Sequence, residues 1–475
     1  MVADGSVAAD YYRLGVSEDA DARGAWRLDG TANEHFALCS TYPRELAIPS
    51  AATPAMLEAV ATYRSRGRIP VLCWRDPAGA GGHLTRSAQP SKGLLGKHSK
   101  ADEQWVSLLR SAAGETRRFV LLDCRSYAAA HANRFRGGGV ERPTRYGLQT
   151  IEYCSLRACK TLSTGHCHSP SRRRAHRTCP VVFRNLTGNV HHVRRVVLAM
   201  RATPRSVPLS RSEQARWLQL QSSLLQAATR AARLLQSGAT VLLHCSDGWD
   251  RTPQVSSLAQ LMLDPHYRTV QGLLLLVGKE WLGFGHRFQL RHELGQPIFL
   301  QFLDALYQMV EQQPHAFGFT ALLLADVLAV HDGAPPSGCA TPHQRFPFDR
   351  DSEAQREAQR SHDVTGGGDE HEQEHWASFF LDESRIALYS NPGYVPPVDG
   401  LDLMHVDTRL HSLRIWPLVR SPPSCAQQAK GARVAVSFAL CCPGHTRDLQ
   451  LIVEADDDAH ADKADESGIE LKEQA

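Results

Sequence analysis

The stretch Val241-Leu242-Leu243-His244-Cys245-Ser246-Asp247-Gly248-Trp249-Asp250-Arg251-Thr252 constrains this chain more than any other. It opens on aliphatic residues that read as a short buried strand and turns at Gly248. It then runs into Thr252–Leu263, whose apolar residues fall at helical spacing. In a strand, turn and helix in that order, the backbone N–H groups of the turn converge at the positive end of the helix. A thiol at that point, Cys245, loses its proton readily and becomes a nucleophile near neutral pH. Arg251 offers a planar guanidinium fork to two oxygens of a phosphoryl group. Nucleophile, anion cradle and clamp point to phosphate-ester hydrolysis through a phosphocysteine. A cysteine and an arginine at this spacing recur by chance, and a structural cysteine at a strand end is the alternative reading of the pair alone. The strand before and the helix after favour the catalytic one.

Composition sets the frame for that loop. The 475 residues are 42% hydrophobic and 22% charged, ordinary for a globular chain. A net charge of +3 does not call for a polyanionic partner, so no nucleic acid is expected and any basic surface is local. No apolar run is long enough to span a bilayer, and Met1–Asp10 lacks a secretory pattern. The twelve cysteines form no short-range framework and read as reduced thiols of an intracellular protein.

The full string His244-Cys245-Ser246-Asp247-Gly248-Trp249-Asp250-Arg251-Thr252 is far more specific than the pair. It resembles the active-site signature of the myotubularin phosphatases, lipid 3-phosphatases of the cysteine-phosphatase superfamily. Further segments resemble the same family: Thr41-Tyr42-Pro43, Arg64–Trp74, Thr85–Pro90, Gly96–Asp102, Ala132–Gly139, Asn189–Arg194, Gly285–Arg291 and Pro297–Phe319. Trp376–Tyr389, Asn391–Tyr394 and Leu413–Trp416 extend the likeness toward residue 418. The resemblance implies an α/β cysteine-phosphatase fold, a central twisted mixed sheet flanked by helices, over residues 11–420. Two irregular insertions interrupt it near 142–180 and 331–373. No membrane-binding PH-GRAM pattern precedes the catalytic region and no sustained heptad follows it, so recruitment, oligomeric state and pairing are not carried over.

The implied substrate is phosphatidylinositol 3-phosphate, with the 3,5-bisphosphate as a further one, and no cofactor or metal is required. The implied location is cytoplasmic, peripheral on endosomal-type membranes. Cys245 is the nucleophile and Arg251 the clamp, and Ser246, Asp247, Gly248 and Trp249 line the substrate. The leaving-group acid falls at Asp250, with Asp247 as its competitor. Asn133 and Asn189 are expected near the inositol ring, although a loop-capping Asn133 and a helix N-cap at Asn189 are equally simple readings. Arg287 and Arg291, spaced to share a helical face, are expected to meet a ring phosphate, with surface ion pairing as the alternative. A phosphoinositide-binding adaptor without turnover and a protein tyrosine phosphatase are the competing functions. Adaptors of this kind usually lack the cysteine or arginine that this chain has, and a tyrosine phosphatase leaves the two loop aspartates and Arg287 and Arg291 unexplained.

The remaining segments are read from the residues themselves. Phe119–Asp123 and Val181–Phe183 are strands, and Ser210–Gln236 is a long amphipathic helix capped by Ser210 or Ser212 and ended by Gly238. Arg64, Arg66 and Arg68 read as a solvated turn, and residues 1–10 as a loose tail. Residues 142–180 read as a mobile basic insertion. Zinc at its Cys154, Cys159, His166, Cys167, His168, His176 and Cys179 is disfavoured by their spacing. Residues 421–475 form an extension with a strand at Val434–Cys441 and an acidic tail.

Overall fold

The computed structural model describes residues 6–17, 25–148, 151–154, 197, 211–337, 339, 377–397 and 403–420. Asn189, the strand expected at Val181–Phe183, the zinc candidates beyond Cys154 and the C-terminal strand and tail lie outside them. An antiparallel pair, β1 (Trp26–Asp29) and β2 (Leu46–Pro49), precedes the main sheet. That sheet has the order β3-β4-β7-β5-β6, from β3 (Val71–Arg75), β4 (His83–Ser87), β5 (Phe119–Asp123), β6 (Ile151–Tyr153) and β7 (Thr240–His244). Only β3 is antiparallel to its neighbour; β4, β7, β5 and β6 run parallel.

In chain order the α-helices are α1 (Val7–Arg13), α2 (Pro54–Tyr63), α3 (Lys100–Ala113), α4 (Tyr127–Ala132), α5 (Arg211–Gln236) and α6 (Arg251–Leu263). They continue with α7 (Val270–Val277), α8 (Phe288–Glu293), α9 (Ile298–Gln312), α10 (Ala321–Asp332), α11 (Glu383–Tyr389) and α12 (Pro417–Arg420).

Every residue of β4, β5 and β7 is buried, which is why the aliphatic runs at 119–123 and 240–243 show no alternation. On α5 the expected stripe of Trp217, Leu220, Leu224, Ala227, Ala231 and Leu234 is buried, and Gly238, at φ 80°, follows the helix end in the left-handed region. α5 packs along α6, and α6 lies against β4 and β7. All of α6 is buried, so it fixes the height and direction of the loop that precedes it. The carboxyl ends of β4, β7 and β5 therefore open onto one crevice, the usual ligand position in such sheets.

The boundaries of three segments differ from the sequence reading. α1 begins inside the expected tail: Asp10 is buried, and its carboxylate accepts hydrogen bonds from Lys279 Nζ at 2.6 Å and Tyr267 Oη at 2.7 Å. Residues 151–153, assigned to the first insertion, form β6 and pair with Leu121–Asp123. Past the expected start of the second insertion, Ser337 still bonds through N and Oγ to Asp326 at 2.9 and 2.8 Å.

One buried carboxyl lies apart from the crevice. Asp304 on α9 accepts hydrogen bonds from Trp217 Nε1 and, at 2.7 Å, from Gln308 Nε2. Burial pushes its pKa up to about 7. A raised carboxyl pKa means the folded state keeps a proton that the unfolded chain has released. The associated stability is full below the unfolded value and is lost as pH rises to about 7, a penalty on the order of 4 kcal/mol above it. Asp304→Asn is therefore expected to flatten the loss of urea stability between pH 5 and pH 8. An unchanged slope would show that Asp304 does not titrate there.

Candidate active site

β7 ends at His244, and the chain from Cys245 to Asp250 curls back before α6 begins at Arg251. Four carbonyls of this loop are held from outside. Cys245 O accepts from His244 Nδ1 at 3.0 Å and Ser246 O from Gln89 N at 3.0 Å. Gly248 O accepts from Arg86 Nη2 at 2.7 Å and Arg68 Nη2 at 3.2 Å, and Trp249 O from His286 Nδ1 at 2.6 Å. In a trans peptide C=O and N–H point opposite ways. The N–H groups of Ser246, Asp247, Trp249 and Asp250 consequently face inward. Gly248 N completes the ring by donating to Cys245 Sγ at 3.2 Å. Since a carbonyl can only accept, both histidines carry their proton on Nδ1.

Arg251 and Thr252 set the direction of the thiol's pKa shift. Burial raises the Cys245 pKa, but the Arg251 charge and the Thr252 hydroxyl outweigh it, and the net shift is downward. Cys124 provides an internal contrast. It follows β5 as Cys245 follows β7, in register across the parallel pair, and its own N donates to His244 O at 2.8 Å. There burial dominates and pushes the thiol well above its ordinary value. The same depth in the sheet thus pushes the pKa up at one strand end, while charge and hydrogen bonding draw it down at the next. Arg251 Nη2 is 3.5 Å from Ser246 Oγ, while Nε and Nη1, like Trp249 Nε1, are buried without a hydrogen-bond partner among the described residues. Unmatched buried donors are costly in the free protein, and an oxyanion bound beside Arg251 would give its guanidinium the partners it lacks.

The arginines read as a solvated turn are otherwise placed, and only Arg66 is exposed. Arg64 is buried and paired with Asp102 at 2.7 Å and Glu141 at 2.6 Å; the other oxygen of Glu141 lies 3.3 Å from His244 Nε2. Arg68 is buried between the carbonyls of Thr41, Gly248 and Phe284. Arg86, on β4, joins Glu280 at 2.5 Å to the Gly248 carbonyl. Arg68, Arg86 and Gln89 hold the loop's shape, and sequence reasoning missed these roles. An arginine within the strand pattern His83–Ser87 was the available signal.

Gly248 has φ +78°, and a Cβ there would lie 2.5 Å from Ser87 O. Gly248→Ala should cost about 2 kcal/mol or more through strain and displaced backbone, visible in urea unfolding, and should remove turnover with it. Wild-type stability in this variant would show that the loop tolerates a side chain there.

Around the loop, Ser246 and Asp247 are half-buried at the mouth, and Asp247 accepts from Ser65 Oγ at 3.1 Å. Asn133 lies beside the loop, donating through Nδ2 to Ser246 Oγ at 2.9 Å and Gln89 Oε1 at 3.3 Å. The glycines after it matter for close approach: a Cβ on Gly138 would strike the Gln89 side chain. Arg287 lies just before α8 with its guanidinium carbon 5.6 Å from the Trp249 ring centroid. Arg291 is brought to the same place but is engaged by Asp250, through Nε at 3.0 Å and Nη2 at 2.6 Å. Burial raises the Asp250 pKa, yet the His286 hydrogen bond and the Arg291 charge bring it down to about 2. In the unliganded protein Asp250 is a carboxylate, not an acid ready to donate.

Among the described residues no group of three or more His, Cys, Asp or Glu side chains is arranged to hold a metal ion, and no helix is long and apolar enough to cross a membrane. The six described cysteines are free thiols. The arrangement can bind a phosphoryl group and attack it with sulfur.

The profile of the myotubularin-like phosphatase domain matches residues 4–332. Phosphatidylinositol-3,5-bisphosphate 3-phosphatase MTMR2 of Gallus gallus is 36% identical over 338 residues, 67% of this chain and 52% of that protein. Its namesake in Bos taurus is 36% identical over 339 residues, 67% of this chain and 46% of that protein. Myotubularin of Xenopus tropicalis is 35% identical over 315 residues, 64% and 48% of the two chains. The chain spans about half the length of the curated relatives it matches.

Proposed function

The chain belongs to the myotubularin-like phosphatase family, and from that premise we propose that it removes the 3-phosphate from phosphatidylinositol 3-phosphate and phosphatidylinositol 3,5-bisphosphate. The observation that carries this reading is the ring of outward-tied carbonyls around a thiol of lowered pKa. Two relatives are named for 3-phosphatase action on the bisphosphate, which supports the choice of substrate. The lipid substrate implies peripheral contact with a membrane, and we place the protein on the cytoplasmic face of endosomal-type membranes.

In the proposed reaction the Cys245 thiolate attacks phosphorus and the P–O bond to the inositol oxygen breaks. The inward N–H groups and Arg251 stabilise the equatorial oxygens where charge spreads. The bond's electron pair leaves on the inositol oxygen, which takes a proton from Asp250. Water then attacks the phosphocysteine, its proton passes to the same carboxylate, and the S–P bond breaks to release phosphate and restore the thiolate.

Asp250 serves as the acid only if it gains a proton that it lacks in the free protein. The arriving phosphates supply the cause: they compete for Arg291 and add negative charge beside the carboxyl, and both effects favour protonation. The Asp250 carboxyl resonance, followed by carbon NMR, is expected to titrate near pH 2 in the free protein and distinctly higher with inorganic phosphate in the loop. No upward movement would transfer the acid's role to Asp247. The function itself is tested on short-chain phosphatidylinositol 3-phosphate, the 3,5-bisphosphate and a phosphotyrosine peptide. Hydrolysis of the lipids, lost in Cys245→Ser, is the expected result. Preference for the peptide, or lipid binding without turnover, contradicts the proposal.

A further inference from the structure

Three large apolar side chains stand in solvent beside the crevice: Leu94 is 63% exposed, Leu95 90% and Phe135 78%. They come from two loops joined by backbone bonds. Gly93 N donates to Gly137 O at 2.9 Å and Gly138 O at 3.0 Å, and Lys97 N to Lys92 O at 3.0 Å closes the first loop on itself. Arg134 Nη2 adds a contact of 3.5 Å to Leu94 O. The second loop is the one that carries Asn133, bonded to Ser246 in the phosphate loop.

Cations crowd the same place. The Arg134 and Arg142 guanidinium groups both come within 4 Å of the space beside Gly96, at 3.8 and 3.7 Å from where a Cβ would stand. Arg136 and Lys97 are exposed on the two loops. Burial, with Arg142 and Arg134 close by, holds the Lys92 ammonium below its ordinary pKa, a local sign of the positive field.

We propose that the tip formed by Leu94, Leu95 and Phe135, with Arg134, Arg136 and Arg142 behind it, seats the phosphatase domain on an anionic phospholipid bilayer. Side chains this exposed stand clear of the surface and form no groove for a peptide or helix. Apolar tips backed by arginine and lysine match the bilayer interface, where apolar groups enter the acyl boundary and cations meet anionic headgroups. The choice of a bilayer over a protein partner rests on the lipid substrate proposed above. The tip is bonded to the rim of the crevice, so seating it brings the mouth to headgroup level.

The test uses the full chain and vesicles of equal parts phosphatidylcholine and phosphatidylserine, free of phosphoinositide. Wild-type protein should sediment with these vesicles, more weakly with pure phosphatidylcholine and more weakly in high salt. The variant Leu94→Ser/Leu95→Ser/Phe135→Ser should lose about tenfold or more in partitioning, while hydrolysing a soluble short-chain substrate at the wild-type rate. Phe135→Trp should show blue-shifted emission when vesicles are added. Equal binding by wild type and the triple variant overturns the proposal, as does unshifted emission from bound Phe135→Trp. Failure of the phosphatase reading is seen separately, as absent hydrolysis of the soluble substrate by a protein whose vesicle binding is still measured.

Discussion

Cys245→Ser is expected to lower turnover of a short-chain phosphoinositide by about five orders of magnitude or more, with substrate binding retained. The reason is specific to the loop. The Arg251 charge and the Thr252 hydroxyl draw the pKa of the Cys245 thiol below its ordinary value, toward the nucleophilic thiolate. An aliphatic hydroxyl starts so far above neutrality that the same shift leaves it protonated. Serine fits the buried space and keeps Gly248 N supplied with an acceptor, so the anion cradle persists. The variant should hold substrate that it does not cleave, visible as unchanged affinity in a binding titration. Residual turnover within a hundredfold of wild type would place the nucleophile elsewhere.

The second large effect is expected at Arg251. Arg251→Lys should reduce kcat by about a thousandfold, because an ammonium keeps the charge but not the fork that meets two equatorial oxygens. Its effect on stability should have the opposite sign to that of an ordinary buried arginine. Nε and Nη1 of Arg251 are buried without a hydrogen-bond partner among the described residues, so removing them relieves unmatched donors in the free protein. Unfolding in urea should occur at the same or a higher concentration than wild type, and added inorganic phosphate should stabilise wild type more than the variant. A clear loss of stability would show that the guanidinium is a structural group.

What could be read from the sequence follows the range of the interactions. The phosphate loop was legible because its nucleophile, its clamp and the elements that aim them are contiguous, from β7 at 240–244 to the start of α6. The long helix α5 and the buried strand β5 were legible for the same reason, since periodicity and aliphatic runs are local signals. The buried arginines were not. A basic turn at 64–68 reads as solvated because isolated charges belong in water, and its partners Asp102 and Glu141 lie 38 and 77 residues away from Arg64. β6 reads as part of an insertion because three residues carry no periodicity, and the start of α1 reads as a tail because Asp10 is simply polar without Lys279 and Tyr267. The pairing of Asp250 with Arg291, 41 residues on, has the same origin and bears most on chemistry. Sequence supplied an acid and a phosphate ligand as separate roles, and the fold joins them into an ion pair that substrate must part.

Whether phosphate passes through Cys245 is the measurement that decides most. Wild-type protein mixed with short-chain phosphatidylinositol 3-phosphate and quenched in acid within a turnover should yield a Cys245-containing peptide that carries a phosphoryl group on sulfur, absent from Cys245→Ser. Turnover that proceeds with no phosphate on Cys245 at any quench time would contradict the account.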